Sequence, residues 1–132
     1  MTIQSFRDLE AWQLGMEFVV RVYELTSSFP AEERFGLSAQ LRRAASSIPS
    51  NVAEGHQRGT KTYRHFVVIA IGSLAEAETQ IELAERLTLA TKKQTEPARR
   101  AASEVRRLLH GLRRSLTVKL RSQRSGEESG TR

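Results

Sequence analysis

Arginines repeat at a seven-residue spacing through the last quarter of the chain. One series is Arg99, Arg106 and Arg113, and the other is Arg100, Arg107, Arg114 and Arg121. At about 100° per helical residue, both series fall in one arc, which also contains His110. Guanidinium forks suit phosphate oxygens. The arc predicts a surface that binds the backbone of RNA or DNA. The alternative is a solvated helix face, or one paired with the glutamates of a neighbouring helix.

A second set of polar and basic residues lies nearer the middle of the chain: Arg42, Arg43, Asn51, Arg58, Lys61 and Arg64. The first three surround Pro49, where they could form a site, a subunit contact or a hydrogen-bonded repair of a helix kink. The last three occupy a loop and a helix start, where free backbone amides can bind phosphate. No phosphate-binding Gly-x4-Gly-Lys-Ser/Thr motif accompanies them. We expect a secondary polar or phosphate site here.

The sequence lacks the patterns of the common catalytic and metal centres. It contains no cysteine, which excludes thiol nucleophiles and thiolate zinc sites. No Glu-x-x-His pair of the kind that holds two irons in a helical bundle is present. Three serines precede His56, but without the Gly-x-Ser-x-Gly elbow of a nucleophile. We therefore expect no enzyme activity, no catalytic residue, no metal and no cofactor.

Length and charge indicate one basic domain. The 132 residues carry a net charge of +6, and 39% of them are hydrophobic. By segment the charge is −4 over residues 1–33, +5 over 34–66, −2 over 67–96 and +7 over 97–132. No apolar run approaches the roughly 18–20 residues that cross a bilayer. We expect a soluble cytoplasmic protein without membrane contact, with a domain over residues 1–121 and a disordered polar tail over 122–132.

Hydrophobic periodicity predicts four helices, over residues 8–28, 37–54, 60–89 and a fourth segment. Thr60 is a plausible cap for the third helix. The fourth starts at Thr91, which forms a capping-box pattern with Gln94, or at Thr95, which places Pro97 in the tolerant first turn. We favour Thr95. The expected core includes Trp12, Leu41, Leu74, Ile81, Leu109 and Leu112. Short connections make an antiparallel up-down-up-down bundle the predicted all-α fold.

The first predicted helix carries two apolar stripes side by side. One stripe is Leu9, Trp12, Met16, Val19 and Tyr23, and the other is Phe18, Val22, Leu25 and Phe29. A monomer would expose one of the two stripes, which predicts a homo-oligomer. In the third helix, Phe66, Ile69, Leu83 and Leu87 are expected to widen the apolar face.

Several strings resemble the four-helix bundle protein family whose founding members are encoded in intervening sequences of bacterial 23S ribosomal RNA genes. The strings are Phe6-Arg-Asp-Leu-Glu-Ala-Trp-Gln13, Phe29-Pro-Ala-Glu-Glu-Arg-Phe-Gly-Leu37, Gln40-Leu-Arg-Arg-Ala-Ala45, Ser47-Ile-Pro-Ser-Asn-Val-Ala-Glu-Gly55 and Gly72-Ser-Leu-Ala-Glu-Ala-Glu-Thr-Gln80. The likeness covers about residues 6–118.

The resemblance implies a left-handed four-helix bundle that assembles as a ring-like homopentamer. The fold is similar to that of the basic accessory protein of diversity-generating retroelements, which partners a reverse transcriptase and binds nucleic acid. Such a partner is therefore an expectation here. The resemblance carries over no catalytic residue. The expected function is that of a non-catalytic accessory protein that binds nucleic acid with low sequence specificity. The alternative is a structural or protein-interaction module without nucleic-acid binding.

Overall fold

The protein is all-α over residues 2–33 and 35–130, which the computed structural model describes, with side chains through residue 127. Four helices account for most of it: α1 (Glu10–Thr26), α2 (Leu37–His56), α3 (Thr60–Arg86) and α4 (Lys92–Gly130). Short 3-10 turns at Phe6–Asp8 and Ala31–Glu33 precede α1 and α2. No strand occurs within these described ranges.

The helices pack as a bundle in which α2 and α4 each contact both α1 and α3. The core of α3 follows the predicted seam, with its large and small residues all buried: Tyr63, Val67, Ala70, Leu74, Ala77, Ile81 and Ala84. Leu41 and Leu109 complete the predicted centre and are fully buried. Trp12 and Leu112 are only partly buried and pack against the edge of the core.

The two apolar stripes of α1 differ in burial. Phe18, Val22, Leu25 and Phe29 are buried in the core. The other side of the helix remains exposed, with Met16 at 41%, Val20 at 47% and Tyr23 at 44% of full exposure. We call these three residues, with the partly buried Trp12 and Val19, the α1 apolar face.

The apolar face of α3 is narrower than the sequence predicts. Ile69, Leu83 and Leu87 are exposed rather than buried. They lie on the outer side of the helix, because the buried residues recur at three- and four-residue spacing on another side of it.

The fourth helix begins after Thr91, so the preference for Thr95 is wrong. The Thr91 hydroxyl accepts a hydrogen bond from the Gln94 amide at 3.1 Å, and the Gln94 side chain accepts one from the Thr91 amide at 2.8 Å. These two bonds are a capping box. Thr95 is fully buried instead, and its hydroxyl donates to Glu85. Pro97 lies inside the helix, at an exposed position.

The N-cap of the third helix also differs from the predicted residue, Thr60. Gly59 is the N-cap residue, and no side chain caps this end. The connection to α4 includes Thr88, whose φ of 58° lies in the left-handed region.

Pro49 lies inside α2 and packs against α1. It is buried, and its ring faces Gly15, where an added Cβ would lie 3.5 Å from the Pro49 Cβ. Asn51 donates its side-chain amide to the Ser47 carbonyl at 2.7 Å, and the Ser46 hydroxyl donates to the Arg42 carbonyl. The proline therefore contributes to the α1–α2 contact, and its neighbours Ser46 and Asn51 bond within their own helix.

The last helix continues beyond the predicted domain end. Residues 122–130 are helical, where the sequence predicts a disordered tail, and residues 131–132 lie outside the described chain. A helix already nucleated extends at little cost per residue. The Gln123 side chain also donates to the Thr60 hydroxyl, at 3.5 Å.

Candidate nucleic-acid interface

Two residues of the inner arginine row, which we define as Arg99, Arg106 and Arg113, pair with glutamates of α3. Arg99 pairs with Glu85 at 2.9 Å and with Glu82 at 3.5 Å, and Arg106 pairs with Glu78. Arg113 is partly buried, like His110. Two of the three inner arginines therefore use their charges to join α3 to α4.

The outer arginine row, Arg100, Arg107, Arg114 and Arg121, lies on the solvent side of α4. All four residues are exposed. Arg100 pairs with Glu96 one turn earlier. No ion pair engages the other three among the side chains that the structure describes. Their seven-residue spacing places successive guanidinium groups about 10 Å apart along the helix.

The six residues of the secondary set do not form one site. Arg42 donates to the Thr26 hydroxyl at 2.7 Å and lies over the Tyr23 ring, so it belongs to the α1–α2 contact. Arg43 is exposed, and Asn51 bonds to Ser47. Arg58 pairs with Glu54 and lies over Phe66.

Lys61 and Arg64, at the start of α3, meet the late part of α4. The Arg64 Nε donates to the Thr117 hydroxyl at 2.7 Å, which fixes the two helices side by side at this point. A cleft of about 460 Å³ opens between them, which we call the end cleft. Its lining residues are Lys61, Arg64, His65, Val68, Thr117, Leu120, Arg121 and Arg124.

The end cleft joins one residue of the outer arginine row to two residues of the secondary set. Of its lining side chains through residue 127, four are cationic and none is acidic. A neighbouring hollow of about 360 Å³ shares Lys61 and Arg124 and also includes Glu127. Sequence reasoning did not single out Thr117, Leu120 or Arg124. The signal for Arg124 was its position three residues after Arg121, which places both on neighbouring helical positions if α4 continues.

Acidic groups concentrate at the opposite end of the α3–α4 seam. The carboxylate of Glu85 accepts hydrogen bonds from the Thr95 hydroxyl and from Arg99, and these hold the pKa of Glu85 below its ordinary value. Glu85 in turn raises the pKa of Arg99. The seam is thus acidic and internally paired near its α4 start, whereas no ion pair engages the cationic residues of the end cleft among the side chains through residue 127.

Two absences hold for the residues that the structure describes. Among them, no three His, Asp or Glu side chains are grouped so that they could hold a metal ion. None of the four helices is long and apolar enough to cross a membrane.

The chain is similar to a crystal structure of a protein of unknown function from the S23 ribosomal protein family of Bacteroides thetaiotaomicron. The two share 26% identity with a TM-score of 0.72, and the match covers 79% of this chain and 95% of the other. No curated protein matches significantly.

The model of one family matches most of the sequence. It describes the 23S rRNA-intervening sequence proteins, and it aligns with residues 7–111, which include all of α1, α2 and α3 and the inner arginines Arg99 and Arg106. The chain therefore belongs to the 23S rRNA-intervening sequence protein family.

Proposed function

We propose that this protein is a non-catalytic accessory protein that binds the phosphate backbone of nucleic acid with low sequence specificity. One observation carries the proposal: the outer arginine row runs along α4 into the end cleft, with Arg121 common to both. From Arg107 to Arg121 this cationic surface extends about 21 Å. Arginines on a convex helix contact phosphates more readily than base edges, so little base discrimination is expected.

A structural role without nucleic-acid binding is the alternative function. The inner arginine row favours it, because Arg99 and Arg106 already pair with glutamates of the same chain. The two functions differ in their prediction for the outer row. A structural module has no need of Arg107 and Arg114, whereas a backbone-binding surface requires them.

The test compares two double variants of equal charge. Arg107→Glu with Arg114→Glu changes the outer row, and Lys92→Glu with Lys93→Glu changes two exposed lysines at the far end of α4. Each substitution removes two charge units, so both variants fall from the native net charge of +6 to +2. Binding to mixed-sequence RNA and to duplex DNA is measured by fluorescence anisotropy.

We expect the native protein to bind both nucleic acids at about 50 mM salt and to lose orders of magnitude in affinity by about 200 mM, because counterion release drives the contact. The arginine variant should lose binding while the lysine variant retains most of it. Helicity measured by circular dichroism should be unchanged in both. If the native protein does not bind at low salt, or both variants bind alike, the structural role is favoured instead.

We also propose that the helices are antiparallel in an up-down-up-down order. The residue pairs between helices support this. Ser47 meets Ser73 and Gln40 meets Gln80 across α2 and α3, so residue numbers fall along one helix as they rise along the other. Arg64 with Thr117 and Arg99 with Glu85 follow the same rule across α3 and α4.

The α1 apolar face supports a proposal about assembly. We propose that it is the contact between copies of the chain, with the ring-like pentamer that the family resemblance implies as the expected form. Arg42 of α2 lies over the Tyr23 ring of this face. It shares one side of α2, by helical spacing, with small, partly buried or exposed residues: Ala39, Ser46, Ser50 and Ala53. Small side chains allow another helix to approach closely.

A further inference from the structure

The end cleft contains apolar surface that phosphate binding alone does not use. Val68 is 41% exposed and lies among the cationic side chains of the cleft, together with the partly buried Leu120. His65 adds an exposed aromatic ring to the same wall. A duplex turns sugars and phosphates outward and would leave this apolar surface in water.

Arg64 is held in position before any ligand arrives. Its Nε donates to the Thr117 hydroxyl, which itself donates to the Arg113 carbonyl at 2.9 Å. No carboxylate among the described side chains pairs with Arg64, so its terminal amino groups remain for a ligand. A guanidinium fixed in this way loses less side-chain entropy when it binds a phosphate.

We propose that the end cleft holds an unpaired nucleotide of a single-stranded nucleic acid, an inference that rests on the function proposed above. Its base lies against Val68, Leu120 and His65, and its phosphates contact Arg64, Arg121 and the neighbouring cations. The volume of about 460 Å³ lies within the roughly 300–1,000 Å³ typical of small-ligand sites.

The chemistry of the lining suits a base as well as a phosphate. Unpaired bases stack on aromatic rings, including histidine, and on the planes of arginine guanidinium groups. The cleft provides both, although α4 itself has no exposed aromatic residue among those described. A nucleotide thus suits both the apolar residues and the cationic residues of the cleft, because it carries a base and a phosphate. The carboxylates of an acidic peptide would pair only with the cationic residues.

The experiment uses neighbouring residues as a matched pair. Val68 lines the cleft, whereas Ile69 has nearly the same exposure, 39%, but does not line it. Val68→Ser and Ile69→Ser are compared on a mixed-sequence single-stranded RNA of about 12 nucleotides and on the blunt duplex of the same sequence. A second pair, His65→Ala and His65→Phe, tests the ring, and poly-glutamate serves as a probe of attraction by charge alone.

Val68→Ser is expected to weaken single-strand binding about three- to tenfold, since part of a valine contact is lost. Ile69→Ser should leave it unchanged, and neither should alter duplex or poly-glutamate binding. His65→Ala should weaken single-strand binding and His65→Phe should restore it. Circular dichroism checks that all four variants remain folded.

The possible failures are distinguishable. If no nucleic acid binds even at low salt, the proposed function itself fails. If single strands and duplexes bind equally and Val68→Ser behaves like Ile69→Ser, backbone binding stands and the nucleotide site is overturned. A Val68→Ser effect that is equally large on poly-glutamate would also overturn it, in favour of a peptide site.

Discussion

At the scale of single residues, Gly55 and Gly72 differ in whether the structure has room for an added Cβ. A Cβ at Gly55 would lie 2.8 Å from the Phe66 Cβ and 3.3 Å from the Tyr63 Cα. A Cβ at Gly72 would meet nothing within 4 Å. The first glycine therefore sets how closely the end of α2 approaches α3, and the second does not affect packing.

Alanine at these two glycines should have opposite effects on stability. Gly55→Ala should lower the free energy of unfolding by about 1–3 kcal/mol, because the overpacked contact must shift. Gly72→Ala should raise it by about 0.5–1 kcal/mol, because alanine restricts the unfolded chain and suits a helix. Urea unfolding of both variants measures these differences. Equal effects of the two substitutions would contradict the close α2–α3 approach.

The Glu85 carboxylate makes stability depend on pH in a defined direction. The Thr95 hydroxyl and Arg99 lower its pKa in the folded state, so its contribution is present above the unfolded pKa of about 4.3 and is lost as the pH falls through the folded pKa. Glu85→Gln should therefore be less stable than the native protein near neutral pH, with a difference that shrinks in acid.

The control for this effect is Glu104→Gln, which removes a carboxylate from the exposed side of α4. It should show little difference from the native protein in urea unfolding at about pH 7 and about pH 3. A Glu85→Gln deficit of the same size at both pH values would indicate a lost packing contact rather than a lost charge.

At the scale of the elements, the arginine rows distinguish what the sequence could predict from what it could not. Seven-residue periodicity within one helix places Arg99, Arg106 and Arg107 on one broad side of α4. Whether a given arginine meets a glutamate depends on the rotation and register of α4 against α3, which periodicity within one helix does not encode. The interior of α3 needed no such information, because its large and small residues repeat along one seam.

The predicted start of α4 was wrong for a similar reason. Local rules favour Thr95 over Thr91 as the start of α4, because they place Pro97 in the tolerant first turn. The choice depends on a contact from Thr95 to Glu85, ten residues earlier in α3. The end cleft likewise requires α3 and α4 together, and its residues Thr117 and Leu120 carry no signal of their own in the sequence.

Adjacent arginines of the two rows should differ in their effect on stability. Arg106→Glu replaces the ion pair with Glu78 by repulsion between carboxylates and should lower the free energy of unfolding by about 1 kcal/mol. Arg107→Glu replaces a positive by a negative charge on the solvent side and should change the free energy of unfolding by no more than about 0.5 kcal/mol. Urea unfolding midpoints compare the two. The α3–α4 pairing would be contradicted if Arg107→Glu were the more destabilising.

At the scale of the whole molecule, a single copy of the chain leaves the α1 apolar face exposed to water. Met16→Lys with Val20→Lys should therefore reduce the mass of the assembly, because charged ends in the contact lose their hydration. Val118→Lys, at a position 61% exposed on α4, should leave the mass unchanged. Light scattering at micromolar concentration measures both. A native mass near 14.9 kDa would refute assembly through this face.

The length of α4 has a consequence for how its backbone exchanges hydrogen with solvent. The helix has 39 residues against 27 in α3, and every residue from 121 to 127 is exposed. A helical segment with so few tertiary contacts opens at little free-energy cost. Amide hydrogens there should exchange with deuterium far faster than those beside Leu109. A single-stranded nucleic acid bound in the end cleft would slow this exchange. The exchange rate of residues 121–127 would therefore measure binding at the cleft.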